Sequence, residues 1–179
     1  YNNVFYIPAN LSPKIIWESD STTTPARNFY YYNNIFYNLS PTATYDYGGD
    51  IHYNRIFSHN VFYGYHPSGE PDLGTGTGQD PNKLTSDPKL VNPGSGGTGL
   101  DSVDGYMLRP YSPCVDSGIA IANNGGKDYW GNPVPINGIT DRGANEYITG
   151  DVATDGIVDW NDVLELAGQW LNSCFAPEW

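Results

Sequence analysis

The first 68 residues alternate short apolar runs with polar or turn-forming residues. The runs are Asn3-Val4-Phe5-Tyr6, Lys14-Ile15-Ile16-Trp17, Asn28-Phe29-Tyr30-Tyr31, Asn34-Ile35-Phe36-Tyr37 and Asn60-Val61-Phe62-Tyr63. None exceeds about six residues or repeats at helical spacing, so each predicts a β-strand. Three of them are one phrase, YNNVFY at Tyr1, YNNIFY at Tyr32 and SHNVFY at Ser58, at offsets of 31 and then 26 residues. Recurrence at a period of a few tens of residues predicts stacked repeats, and unequal offsets predict loops of unequal length.

In such a stack, equivalent side chains lie above one another at about 4.8 Å. Asn3, Asn34 and Asn60 then form a ladder at a tight turn, because Asn tolerates left-handed geometry and its amide can bond the next amide. Phe5, Phe36 and Phe62 are expected to form the inward column. Val4, Ile35 and Val61 are expected to face outward beneath neighbouring loops.

Composition narrows the class. Charged residues make up 16% and aromatics 15%, with 15 Tyr, 21 Gly and 14 Pro, a β- and turn-rich profile typical of extracellular proteins. Twenty acidic residues against eight basic ones leave a net charge of −12, which repels nucleic acid and anionic membranes. No run of about 18 apolar residues encodes a membrane span. No signal peptide is visible, and a start at Tyr1 inside a repeat predicts a processed or incomplete chain. Cys114 and Cys174 are the two cysteines, and no spacing rule supports a disulfide between them.

The phrases NNIFYN and HNVFYG resemble coils of right-handed parallel β-helix proteins, the pectate-lyase-like superfamily. The later text DPKLVNPG, YMLRPYSPCVDSG, GGKDYWGNPVP and DRGANEY is similar to the ending of secreted β-helix proteins that act on plant or algal polysaccharides. The resemblance covers residues 1–148. It implies an all-β fold, a right-handed parallel β-helix represented by its C-terminal coils and cap. It also implies an irregular wrap from about His66 to Gly105 and a terminal strand at Glu146-Tyr147.

From Gly150 the text changes. DVATDGIVDWND places Asp151, Asp155, Asp159 and Asp162 at positions 1, 5, 9 and 12 of a calcium-loop template, with Gly156 at the sharp turn and the Ile157 carbonyl as a further oxygen. These five residues are the candidate Ca²⁺ ligands. The helix expected over Asn161–Leu171 sets Val163, Leu166, Ala167 and Trp170 on one face. Loop and helix resemble one repeat of a dockerin, implying a small α-helical dockerin-like half over 149–179. Ala153 departs from that pattern by removing a ligand, and only one repeat is present. An acidic turn before a helix, with no metal, is the alternative.

For cleavage, hydrolases need two carboxyls flanking the glycosidic bond. Lyases need a base for the proton α to a uronic carboxylate, with a cation or Arg neutralising that carboxylate. Asp46, Asp50, His52 and Arg55 are the candidate catalytic residues, expected on one exposed flank, with solvated charges as the alternative. Glu18 and Asp20 form a second acidic pair. His59 replaces Asn2 and Asn33 of the phrase and reads as a turn residue, while His66 has no partner in sequence. Asp128, Asp141 and Arg142 match the family ending and take structural turn and ion-pair roles. Trp17, Tyr30, Tyr32, Tyr37, Tyr45, Tyr47, Tyr53, Tyr63 and Tyr65 could line a sugar-stacking groove.

The resemblances together imply a secreted or cell-surface bacterial protein that binds and cleaves a polysaccharide, as lyase or glycoside hydrolase. The dockerin-like segment implies a cohesin-like protein partner. The rival is a non-catalytic structural or adhesive protein that self-associates into elongated assemblies through an exposed strand edge. A third reading is a binding module alone.

Overall fold

The computed structural model describes residues 1–17, 27–46, 53–66, 80–97, 102–136, 138–148, 150 and 158–174. Among these residues seven short strands precede one α-helix: β1 (Val4–Ile7), β2 (Lys14–Trp17), β3 (Arg27–Tyr32), β4 (Ile35–Asn38), β5 (Thr44–Asp46), β6 (Tyr53–Ser58), β7 (Val61–Gly64) and α1 (Trp160–Cys174). They form three sheets, β1-β4-β7, β2-β5 and β3-β6. Every pairing is parallel.

The repeated phrase sets the register. Val4 pairs with Ile35 and Ile35 with Val61, while Phe5, Phe36 and Phe62 follow in step. Before each of these strands the chain turns through a left-handed residue, Asn2 (φ 53), Asn33 (φ 54) or His59 (φ 59). His59 is thus a turn residue. At the next position the amides stack: Asn3 N and Nδ2 donate to Asn34 Oδ1 at 3.2 and 3.1 Å. Asn34 N and Nδ2 donate in turn to Asn60 Oδ1, both at 3.0 Å.

Strand alternation separates two apolar columns. Phe36 lies between Phe5 and Phe62, with ring centroids at 5.0 and 4.9 Å, and packs with Ile16 and Phe57. Ile35 and Val61 face the other way, fully buried under Leu90, Leu108 and Cys114. The cover comes from the 80–148 segment. Its Gly143 (φ +102) crosses the stack so closely that a Cβ there would meet Ile35 Cδ1 at 2.7 Å. Only a residue without a side chain fits that crossing.

The fold class expected from the resemblance is corrected in two respects. Among the described residues the strands make small parallel sheets of three, two and two strands, and no closed β-helix solenoid over residues 1–148 is formed. Among the described residues the last strand ends at Gly64, and from Asp80 onward the chain makes isolated bridges and a 3-10 turn at Asp104–Tyr106. The dense Gly and Pro content explains this: Gly94, Gly96, Gly125, Gly126, Gly131 and Gly143 all hold positive φ, incompatible with a continuing strand. Glu146 and Tyr147 form no terminal strand; their N–H groups donate to the Asp128 and Asp141 carboxylates.

The α-helical dockerin-like half over 149–179 is likewise not seen; α1 is the single α-helix among the described residues. It is longer than the expected Asn161–Leu171. Its apolar side chains stand in water, with Trp160 and Trp170 more than 60% exposed and Val163, Leu164, Leu166 and Leu171 also exposed.

Candidate functional site

The phrase Asp128-Tyr129-Trp130-Gly131-Asn132 folds into a turn organised by one carboxylate. Asp128 Oδ1 accepts the N–H groups of Trp130 (2.9 Å) and Asn132 (2.8 Å), an aspartate-centred turn. Its Oδ2 accepts Asn132 Nδ2 and Glu146 N, both at 2.9 Å, which ties the turn to the last described segment before the helix. Tyr129 N donates to Ala144 O at 3.1 Å. The two aromatic residues are thus fixed by their backbone. The Trp130 ring is fixed as well, because its Nε1–H donates to Asp104 Oδ1 at 2.9 Å.

This turn faces the first strand across a cleft of about 370 Å³ lined by Tyr6, Tyr106, Tyr129, Trp130 and Asn3. Tyr6 and Tyr106 meet edge to face at 6.0 Å, and Tyr129 and Trp130 meet at 5.1 Å. Asn3, Tyr129 and Ala144 also line a second, more polar hollow of about 270 Å³ that includes Lys127, Asp128 and Glu146. The two form one groove with an aromatic arm and a polar arm. A Trp ring held by a hydrogen bond among tyrosine rings, beside charged and amide groups, suits a ligand with both apolar faces and hydroxyls.

The acids around the polar arm are engaged in the fold. Asp141 Oδ1 accepts Asp116 N and its Oδ2 accepts Tyr147 N, at 2.7 and 2.6 Å. Glu146 Oε1 and Oε2 accept the N–H groups of Asp141 and Ile136 at 3.0 and 3.3 Å. Burial pushes the Asp141 carboxyl up to about 6 and the Glu146 carboxyl up to about 7. Burial lowers the pKa of Arg142, whose side chain donates to the Ser117, Asn60 and Asn82 carbonyls and to the Ser117 hydroxyl. Its mapped bonds therefore go to neutral oxygens, where an ion pair was expected.

The sequence-predicted catalytic cluster falls only partly within the described residues. Asp50 and His52 lie outside the described residues, as do Glu18, Asp20 and Tyr47. Asp46 ends β5 opposite Trp17. Arg55 is buried at 6% exposure in β6 opposite Phe29, which removes it from the exposed flank expected for it. Of the expected sugar-stacking residues, Tyr37 and Tyr63 meet as tilted rings with centroids at 4.8 Å, half-buried, and Tyr30 and Tyr65 are exposed. None of those whose side chains are described lines the aromatic cleft. Tyr6, Tyr106, Tyr129 and Trp130 were missed. The signal was the turn phrase DYWGN, which fixes two aromatics by one aspartate.

At the calcium template, Asp151, Asp155 and Ile157 lie outside the described residues. Asp159 and Asp162 make a reciprocal cap on α1: Asp159 Oδ1 accepts Asn161 N at 2.7 Å, and Asp162 Oδ2 accepts Asp159 N at 2.6 Å. Among the described residues no group of three or more His, Cys, Asp or Glu could hold a metal ion. Two carboxylates of the five nominated ligands are hard oxygen donors of the right kind, and by themselves they make an incomplete shell. Cys114 is buried and in no disulfide, and burial raises its thiol to about 11. No family model matches the chain and no curated protein matches it, so the reading of the groove rests on its geometry.

Proposed function

We propose that the protein binds a polysaccharide along the groove between β1 and the Asp128–Asn132 turn, with sugar rings on Tyr129 and Trp130 and hydroxyls on the polar arm. One observation carries this reading: the Trp130 ring is pinned by Asp104 over a cleft shared with three tyrosines. A ring immobilised before the ligand arrives loses little entropy on stacking, and the C–H faces of a pyranose match it. The net charge of −12 favours a neutral or cation-bridged glycan over a free polyanion. The reading is of binding, because the two carboxylates that line the groove among the described residues are engaged in the fold. Asp128 and Glu146 already accept backbone N–H groups through both oxygens.

The test is calorimetry against a panel of soluble neutral and acidic polysaccharides, with Trp130→Ala and Tyr129→Ala. Binding to one class, weakened at least tenfold in both variants, is expected. A panel with no binder, or binding unchanged in both variants, would overturn the proposal.

A second reading concerns calcium at the loop before α1. It is favoured by the burial of Asp162, only 4% exposed on a helix whose neighbouring side chains stand in water. A buried carboxylate next to a second one, Asp159, is a position where a hard divalent cation would relieve repulsion.

A further inference from the structure

Asparagine amides are engaged through much of the fold. Nδ2 of Asn34 and of Asn60 is held in the ladder, that of Asn33 by the Ile119 carbonyl, and that of Asn132 by Asp128. Asn124 differs. Its Oδ1 accepts Gly126 N at 2.9 Å, while its Nδ2 has no hydrogen-bond partner among the described residues. The bond to Gly126 folds the side chain back over the intervening peptide, whose nitrogen belongs to Gly125. Gly125 (φ +90) and Gly126 (φ +72) are exposed, and a Cβ built on either would meet nothing within 4 Å. No steric barrier therefore keeps the Gly125 peptide from turning toward the Asn124 side chain. Immediately afterwards the chain is held again, by Val134 N donating to Gly126 O at 3.1 Å and by the Lys127–Pro133 bridge. An amide carbon, a backbone donor on its oxygen and an unhindered backbone nitrogen thus share one short turn.

We propose that Asn124 is a self-modification site, where the side chain closes on the Gly125 nitrogen to a succinimide that water opens to aspartate or isoaspartate. Gly125 N attacks Asn124 Cγ, forming a C–N bond. The Gly126 N–H on Oδ1 stabilises the negative charge that develops on that oxygen. The Cγ–Nδ2 bond then breaks, and ammonia leaves carrying the proton from Gly125 N. Water adds at Cγ to give aspartate, or at the backbone carbonyl to give isoaspartate. No oxidant or reductant takes part. Either product adds a carboxylate to the polar hollow, whose lining already includes Asp128 and Glu146 beside Lys127. Isoaspartate also lengthens the main chain by one carbon just before the Lys127–Pro133 bridge. A consequence that rests on the glycan reading above is stronger discrimination against acidic glycans after modification.

The test is incubation of the folded full chain in mildly alkaline buffer, followed by mass spectrometry of digests. Fragmentation separates Asn124 from Asn137, which also precedes a glycine and lies outside the described residues, and aspartate from isoaspartate. An end-blocked peptide of residues 120–130 sets the reference rate for the unfolded sequence. A one-dalton gain at Asn124, at a rate within tenfold of the peptide, is expected, and Asn124→Gln should lose it. A rate in the folded chain more than tenfold below the peptide would overturn the proposal, as would a gain confined to other asparagines. The mass readout needs no ligand, so it decides this site whether or not the glycan panel finds a binder.

Discussion

Asp80 receives both the backbone N–H and the side-chain Nδ2 of Asn60 on a single oxygen, at 2.8 and 2.9 Å. Its other oxygen accepts His59 N at 3.1 Å and Asn82 N at 2.9 Å. Four N–H groups thus converge on one side chain that is 2% exposed. An amide could not replace it, since one end of Asn is a donor and would face two donors.

Asp80→Asn is therefore expected to destabilise the fold by about 1–3 kcal/mol, although it is nearly isosteric. Asp80→Ala should cost more, because every donor at the ladder's base loses its partner. Urea unfolding of both variants checks the order. Equal midpoints for Asp80→Asn and the parent would refute the need for two acceptor oxygens.

The stacked rings give a second expectation. Phe36 and Phe62 are buried in the column while Phe5 keeps one side in water. Phe36→Ala and Phe62→Ala should each cost about 3–5 kcal/mol, and Phe5→Ala distinctly less. A flat series across the three would contradict the column as the core.

Acid dependence follows from Asp141 and Glu146, whose carboxyls are raised by burial from 3.8 to about 6 and from 4.5 to about 7. The folded chain then holds more protons than the unfolded chain between about pH 4 and pH 7, so these two groups make stability fall as pH rises through that window. Each group contributes ~3 kcal/mol at most. Glu146→Gln should flatten the slope, while losing some stability at low pH because one of its two N–H partners then meets an NH₂. Denaturation midpoints measured from pH 4 to pH 8 decide this. A slope that steepens in the variant counts against it.

The loop before α1 makes a separable pair of predictions. Asp159→Ala removes the cap on Asn161 N and should lower helix content and cost roughly 1 kcal/mol, with or without metal. Asp151→Ala, at a candidate ligand position outside the described residues, should weaken calcium binding. Trp160 adjoins the loop and stands in water, so tryptophan fluorescence of chelator-stripped protein can follow the titration. No heat and no spectral change at millimolar calcium would leave Asp159 and Asp162 as a helix cap alone.

Much of the stack was legible in the sequence because the phrase itself carries the register. An Asn before a β-branched residue before Phe, three times, places Asn3 on Asn34 on Asn60 and separates the Phe column from the Val/Ile column. The fold class was over-read from the same phrase. A periodic text says which residues stack; it does not say how many levels are completed, and among the described residues after Gly64 only the bridge of Leu84 to Val61 continues the parallel stack. Asp80 was invisible because it ends the ladder from 20 residues beyond Asn60, with no phrase around it. The aromatic cleft was invisible for a similar reason: Tyr6 and Trp130 meet only when residues 102–148 lie against the first strand. Arg55 read as a surface charge, since a one-residue window cannot tell a buried guanidinium from a solvated one.

The cover over Ile35 and Val61 bears on how the chain reaches its native state. Leu90, Leu108 and Cys114, together with the glycine crossing at Gly143, come from sequence positions up to about a hundred residues away from the strands they seal. Contacts of such separation are slow to form, and they cannot form until the distant segment exists. During synthesis the early strands carry an apolar outer column with nothing over it, the situation in which unpaired edges and bare columns associate with the wrong neighbour. The segment after Asp80 therefore works as a late-arriving seal, and a nascent chain halted before residue 108 would be the form most prone to aggregate.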